Sequence, residues 1–286
     1  MNITGKTKVL GIIGNPIEHS LSPIIQNRAI AFLNLDYIYV PFPVMGDSLQ
    51  VALDGFRAID VQGFNVTIPH KQAVMPFLSE ISDTAQLIGA VNTVWQTPEG
   101  WHGTNTDIDG FIAPLKALNR DWEDVTPIIL GNGGASRAVV VGCAQLGCRE
   151  IKVVGRSLDK LQQFKNSWDE QLLQAKITIH PWSDLNDTLP HSELIVNTTP
   201  LGMSPHVDKS PLDDQQISLL KLGAIVYDLI YTPRPTLLLQ KAQNQGAIII
   251  DGTEMLVQQG AVGFQIWTEK NAPVDVMRQA LLDFLP

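Results

Sequence analysis

One stretch, Val125-Thr126-Pro127-Ile128-Ile129-Leu130-Gly131-Asn132-Gly133-Gly134-Ala135-Ser136-Arg137, restricts the fold of this chain more than any other. Its apolar run has no polar alternation, as expected of a strand buried on both faces. Ala135 to Val141 then reads as the start of a helix. Glycines fill the turn between the two. Lacking Cβ atoms, they let backbone N–H groups approach a pyrophosphate at the positive end of the helix dipole. Gly131 and Gly133 match the first two glycines of the dinucleotide-binding fingerprint, while the third falls on Ser136, with Gly134 and Ala135 giving the close packing. Taken alone, the run also fits a glycine turn in an ordinary βα unit.

The next strand bears on the cofactor. Glu150 to Val154 leads into Gly155-Arg156-Ser157, where a fold that binds NAD would place an acid for the ribose 2′-hydroxyl. A guanidinium there favours a 2′-phosphate, and Ser157 and Lys160 stand near enough in sequence to share it. The expected cofactor is therefore NADP.

The alternation of strands and helices extends to both ends. Lys8 to Gly14 reads as a first strand and Ile24 to Asn34 as a helix, with Ser20 and Ser22 placed either to cap that helix or to meet a ligand. Tyr37 to Phe42 and Leu49 to Ala58 repeat the pattern. Gly63 to Lys71 is a strand ending in polar residues. Since ligands in open α/β sheets bind beyond the carboxyl ends of strands, Asn65, Thr67 and Lys71 are candidates, although a lysine at a helix start is more often a surface charge. His70 reads as a helix-start or packing residue. A capped helix over Ile81 to Ala90 and a hairpin around Thr97-Pro98-Glu99-Gly100 lead to Asn105-Thr106-Asp107, where Asp107 is either a helix cap or a functional carboxylate. Beyond the glycine turn come a helix over Asp159 to Leu173, strands at Ile177 to Ile179, Glu193 to Asn197, Ala224 to Tyr231 and Ala247 to Gly252, and helices from Glu254 to the C-terminus broken at Pro273. The expected fold is α/β in two domains. A Rossmann-like nucleotide domain over 108–252 is joined to an α/β substrate domain over 1–107, completed by C-terminal helices over 253–286.

Composition excludes several alternatives. With 44% hydrophobic and 17% charged residues, the 286-residue chain is ordinary for a globular enzyme, and its formal net charge of −9 argues against nucleic acid or an anionic membrane as a partner. No stretch approaches membrane-spanning length. Cys143 and Cys148 fall in one expected helix, five apart and off the same-face spacing, so two buried thiols in a reducing cytoplasm are expected rather than a disulfide. No metal site is expected, the partner is a small-molecule substrate, and a homodimer is allowed.

Gly14-Asn15-Pro16-Ile17-Glu18-His19-Ser20-Leu21-Ser22-Pro23, Asn65-Val66-Thr67-Ile68-Pro69-His70-Lys71, Gly89-Ala90-Val91-Asn92-Thr93, Asn105-Thr106-Asp107 and Gly131 to Arg137 together resemble the shikimate dehydrogenases in order and spacing. Tyr227-Asp228-Leu229-Ile230-Tyr231 and Met255-Leu256-Val257-Gln258-Gln259 extend the resemblance over essentially the whole chain. It implies reversible reduction of 3-dehydroshikimate to shikimate with NADPH, on the route to aromatic amino acids. By the same resemblance Ser20 and Ser22 would bind the substrate carboxylate, and Thr67, Asn92, Tyr231 and Gln259 would help hold the ligand. Lys71 and Asp107 would form the catalytic pair, and Leu229 and Gly252 would approach the nicotinamide. These residue types suit the chemistry. Reducing a ketone needs a hydride on one face and a proton for the oxygen, and a lysine held by an aspartate can supply the proton, the pair being coupled so that the sequence assigns neither group as sole acid or base.

The chain departs from the family pattern in three places. Ile108 follows Asp107 where glycine is common, and Gly260-Ala261-Val262-Gly263-Phe264 stands where alanines and a histidine are usual. Gly155-Arg156-Ser157 replaces Asn-Arg-Thr, keeping the charge and dropping an amide. An NAD-preferring quinate or shikimate dehydrogenase would carry an acid at Arg156. A methylenetetrahydrofolate dehydrogenase fits poorly with the two serines and Asn105-Thr106-Asp107, and a non-catalytic sensor would tend to lose Lys71 or Asp107.

Overall fold

The computed structural model describes residues 2–285. The chain forms two compact units, Met1–Gly110 with Leu256–Pro286, and Phe111–Met255. In chain order the first segment holds β1 (Lys8–Gly14), α1 (Ser22–Phe32), β2 (Tyr37–Pro43), α2 (Leu49–Ala58), β3 (Val61–Val66), α3 (His70–Ala73), β4 (Glu80–Ile81), α4 (Asp83–Ile88), β5 (Thr93–Thr97), β6 (Gly100–Thr104) and α5 (Asp107–Lys116). There follow β7 (Ile128–Leu130), α6 (Gly134–Gln145), β8 (Glu150–Gly155), α7 (Leu158–Asn166), α8 (Glu170–Leu173), β9 (Lys176–Pro181), α9 (Leu185–Thr188), β10 (Leu194–Asn197), α10 (Asp214–Ser218), β11 (Ile225–Asp228), α11 (Leu237–Asn244) and β12 (Ile248–Ile250). The chain closes with α12 (Gly252–Thr268) and α13 (Val274–Phe284). Among the described residues no helix is long and apolar enough to cross a membrane.

In the first unit the sheet order is β2-β1-β3-β5-β6-β4. β1 is parallel to both β2 and β3, and the β5–β6 hairpin adds antiparallel to β3. The last five residues of the central strand β1 are buried, whereas β2 at the edge shows exposed positions. The C-terminal helices complete this unit's core. Leu10, Ile25, Ile30 and Tyr39 pack with Val257, Phe264, Trp267, Met277 and Leu281. Gly260 has a reason in that packing. A Cβ there would lie 3.1 Å from Ile25 Cδ1, and the Gln26 amide donates to the Gly260 carbonyl at 2.8 Å.

In the second unit the order is β12-β11-β10-β7-β8-β9, with every pair parallel. Counted from β7, this is the doubly wound nucleotide-binding order, which reverses between β7 and β10. All residues of β7, β10 and β11 are buried, β7 wholly apolar and β10 and β11 each ending in a buried polar residue, Asn197 and Asp228, while the edge strand β12 is partly exposed.

Four local expectations change. Helix α1 begins at Ser22, with Leu21 as its N-cap residue and no side-chain cap. The helix expected over Asp159 to Leu173 is two helices, because the Asp169 carboxylate accepts from Gln171 N and Leu172 N and starts a new one. The strand expected over Ala224 to Tyr231 ends at Asp228. Cys148 lies outside α6. Gly147 (φ 102) reverses the chain so that Cys148 N donates to the Cys143 carbonyl at 3.1 Å, and both free thiols are buried.

Asp228, at the end of β11, is completely buried and ties the loops beyond β10 and β11 together. Its Oδ1 accepts from Asn197 Nδ2 at 2.9 Å and from Ile230 N at 3.2 Å, and its Oδ2 accepts from Thr236 Oγ1 at 2.7 Å. Burial outweighs these three neutral donors and pushes the carboxyl pKa up from 3.8 to about 6. The folded state therefore keeps a proton that the unfolded chain releases from about pH 4. Folding is disfavoured progressively as pH rises through that window, by up to about 3 kcal/mol above pH 6. Asp228→Asn retains all three contacts, since its amide donates to the Thr236 hydroxyl. Thermal melts at pH 4, 6 and 8 should show this variant more stable than wild type by about 1 to 3 kcal/mol at pH 8, with the gap closing towards pH 4. A variant less stable than wild type at pH 8 would show that the charged carboxylate's hydrogen bonds outweigh its desolvation.

Candidate active site

Lys71 lies in the one-turn helix α3, just past the end of β3, and Asp107 is the first residue of α5. Lys71 Nζ donates to Asp107 Oδ2 at 2.5 Å, with the lysine side chain 34% and the aspartate 15% exposed. Lys71 is thus a paired group rather than a solvated surface charge. The second carboxylate oxygen accepts from Asn92 Nδ2 at 2.8 Å, and Asn105 Oδ1 takes the Asp107 backbone N–H at 3.0 Å. With its carboxylate engaged in this way, Asp107 does not act as a helix cap. Ile108, which follows it, is buried.

Asn92 is buried and fully engaged. Its Oδ1 accepts from Thr106 N at 2.8 Å and from Thr93 Oγ1 at 2.9 Å, while its Nδ2 lies 3.5 Å from Gln259 Oε1. Gln259, on α12, is fixed from two sides. Its backbone carbonyl accepts from Thr106 Oγ1 at 3.0 Å, and its own amide donates to the Leu256 carbonyl at 2.8 Å. Lys71, Asn92, Asp107 and Gln259 therefore form one connected group, joined by Asn105 and Thr106.

A second chain of hydrogen bonds leads toward the serines. Asn65 donates to the Asn92 carbonyl and to Thr93 Oγ1, both at 3.1 Å, and accepts from the Tyr39 hydroxyl at 2.6 Å. Burial holds the Tyr39 pKa well above its ordinary value despite an opposing hydrogen bond with Ser22. Ser22 is buried at the helix start, and Ser20, half-buried, accepts from Ser22 N at 3.4 Å. Thr67 is half-buried in the loop after β3, where its backbone N–H donates to the Ile13 carbonyl at 2.9 Å. His70 packs as expected, with Nε2 2.7 Å from the Val44 carbonyl. Sequence reasoning missed Tyr39. Its strand position was visible, but its partners stand 17 residues earlier and 26 residues later in the chain.

The glycine turn lies in the second unit, between β7 and α6. Gly131 has φ +105, and a Cβ there would lie 2.8 Å from Thr198 Oγ1, so the fold itself demands glycine. At Gly133 and Gly134 a Cβ would meet nothing within 4 Å. The start of α6 is open there, with Ala135 exposed beside it and Ser136 buried, its Oγ donating to the Gly133 carbonyl at 2.6 Å. Arg156 is exposed just past the end of β8 and Lys160 is exposed in the first turn of α7, which Ser157 caps by accepting from Lys160 N at 3.4 Å. Leu229 and Gly252 come together, since a Cβ on Gly252 would strike the Leu229 backbone and Gly252 N donates to the Ile230 carbonyl at 3.1 Å. Tyr231 follows in the same loop, half-buried, its pKa raised by burial. Among the described residues no group of three or more His, Cys, Asp or Glu side chains is placed to hold a metal ion.

Comparisons with known proteins show the chain's family. Residues 12–94 match the family model of the shikimate dehydrogenase substrate binding domain, and residues 252–282 match the shikimate 5′-dehydrogenase C-terminal domain. A shikimate dehydrogenase (NADP(+)) of Gloeothece citriformis (strain PCC 7424) is 59% identical over 99% of this chain and 98% of its own length. A shikimate dehydrogenase solved in complex with NADP+ aligns with a TM-score of 0.91 at 38% identity, covering 100% of this chain and 98% of that one. The shikimate 5-dehydrogenase of Listeria monocytogenes, solved with shikimate and NAD, gives a TM-score of 0.91 at 34% identity over 98% of both chains. With such identity along nearly its whole length, the chain belongs to the family of NADP-dependent shikimate dehydrogenases, which are oxidoreductases.

Proposed function

We propose that the chain catalyses the reversible NADPH-linked reduction of 3-dehydroshikimate to shikimate, with Lys71 and Asp107 handling the proton. The observation that carries this reading is the Lys71–Asp107 pair at 2.5 Å, held by Asn92, in a chain of this family. Residues 1–107 with 253–286 serve the substrate, and 108–252 serve the cofactor. Bound NADPH supplies the hydride. Lys71 gives its proton to the ketone oxygen, and in the oxidative direction the lysine amine takes the hydroxyl proton back. Asp107 keeps the lysine nitrogen in place, and Asn92 keeps Asp107 in place, so the groups act as a unit. Ser20 and Ser22 hold the substrate carboxylate, while Thr67, Asn92, Gln259 and Tyr231 meet its remaining polar groups. A polyol that leaves those partners unpaired is rejected at their desolvation cost.

For the cofactor, the backbone of Gly131, Asn132, Gly133, Gly134 and Ala135 cradles the pyrophosphate at the start of α6, with Leu229 and Gly252 toward the nicotinamide. Arg156 and Lys160 read the 2′-phosphate beside Ser157. The proposed setting is a reducing cytoplasm, which the two free thiols suit.

Lys71→Ala and Asp107→Ala should each lower kcat by on the order of a hundredfold or more, while shikimate affinity changes about threefold or less. Steady-state kinetics with direct shikimate titration checks this, and near-normal kcat with lost affinity would remove the catalytic role. Gly133→Ala should melt at the wild-type temperature, because its Cβ meets nothing in the chain, yet bind NADP at least about tenfold more weakly. Unchanged NADP affinity would mean that the turn is not the cradle. Arg156→Ala removes a charge-assisted contact of about 1.5 to 3 kcal/mol, so NADP affinity should fall about ten- to a hundredfold with NAD unaffected. An unchanged NADP/NAD ratio of kcat/KM would place the reading of the phosphate elsewhere.

A further inference from the structure

Asn132 stands inside the glycine turn, and nothing in the chain accounts for its side chain. It is half-buried and has no hydrogen-bond partner among the described residues. Its Oδ1 lies 3.2 Å from the point that a Cβ on Gly155 would occupy. Leu161 closes the rest of that space, with Cδ2 at 3.0 Å and Cγ at 3.1 Å from the same point. A side chain at position 155 is thus excluded by packing, and the Asn132 carboxamide covers the end of β8 in its place.

That location has a chemical meaning in a sheet of this order. The end of the second strand is where the adenosine ribose of a dinucleotide is read. Arg156 and Lys160 bring exposed cations there, suited to a 2′-phosphate. A neutral carboxamide on the turn side brings one acceptor and two donors, suited to a hydroxyl. We propose that the Asn132 carboxamide binds the adenosine ribose through the 3′-hydroxyl that NAD and NADP share, with Gly155 kept bare to admit it. This rests on the cofactor reading above. It divides the work at the ribose, so that Asn132 contributes affinity for either dinucleotide and Arg156 contributes the choice between them.

The test is equilibrium titration of the full-length protein with NADPH and NADH, followed by cofactor fluorescence, alongside melting temperatures. Asn132→Ala should raise both dissociation constants about three- to tenfold, the range for one neutral hydrogen bond, with their ratio constant within about twofold. Gly155→Ala should act in the same direction without removing a polar group, because its Cβ, 3.2 Å from Asn132 Oδ1, crowds the amide. Should Gly155→Ala also disturb Leu161 enough to lower the melting temperature, Asn132→Ala decides alone. Unchanged affinities in Asn132→Ala, or a loss confined to NADPH, would overturn the assignment. If Arg156→Ala and Gly133→Ala also left NADPH binding intact, the cofactor reading itself would fall. If those two weakened it and Asn132→Ala did not, only the ribose assignment would fail.

Discussion

The carboxylate of Asp107 takes a hydrogen bond on each oxygen, from Lys71 on one side and Asn92 on the other, and much of the first unit's polar interior keeps it so. Asn92 is nearly inaccessible, and a buried amide left unpaired costs about 1 to 3 kcal/mol. Its partners therefore have to be placed with care. Thr93 comes from the strand that follows it, Thr106 from the end of the hairpin, and Gln259 from a helix more than 150 residues away. Asn65 secures the Asn92 carbonyl and is itself fixed by Tyr39. Because each member satisfies another, the polar network fixes the position of the Lys71–Asp107 pair.

Asp228 shows the opposite way of burying a carboxylate. Asp107 has a cation and partial access to water, while Asp228 has three neutral donors and no exposure. Three hydrogen bonds do not replace the lost solvation, and its pKa rises accordingly. In return, one side chain holds the ends of β10 and β11 in register with the loop that carries Leu229 and Tyr231. The two carboxylates thus differ in their surroundings more than in their chemistry, one set beside a cation and the other fixing backbone.

Much of this was legible in the sequence because it depends on local period and local turn chemistry. The apolar runs at Ile128 to Leu130 and Ile225 to Tyr227 became buried strand, and the turn at Thr97 to Gly100 joined β5 to β6. The family blocks led to a chain in which Lys71 and Asp107 do meet. What stayed hidden depends on contacts distant in sequence or on competition at helix ends. No periodicity links Gln26 to Gly260, or Tyr39 to Asn65. The serines before α1 look like caps by type, yet the helix starts after Leu21 and leaves Ser22 inside its first turn. Cys143 and Cys148 sit badly for pairing on a continuous helix, and only the reversal at Gly147 brings them together.

The glycines separate what the fold requires from what it leaves open. At Gly131 the backbone conformation and Thr198 both exclude a side chain, so the residue is explained by the protein alone. Gly260 is a milder case, since a Cβ there would lie 3.1 Å from Ile25 Cδ1 and 3.3 Å from Gln26 Nε2, a tight fit against α1 that a side-chain shift could relieve. Gly133 is different. Its backbone is extended (φ −92, ψ −165), a conformation open to any residue, and a Cβ would point into empty space. Neither strain nor packing within the chain selects glycine there, whereas the close approach of an anion to the first turn of α6 would. Openness alone does not mark a site, since Gly46 and Gly55 share it; what sets Gly133 apart is its place in the turn between β7 and the start of α6.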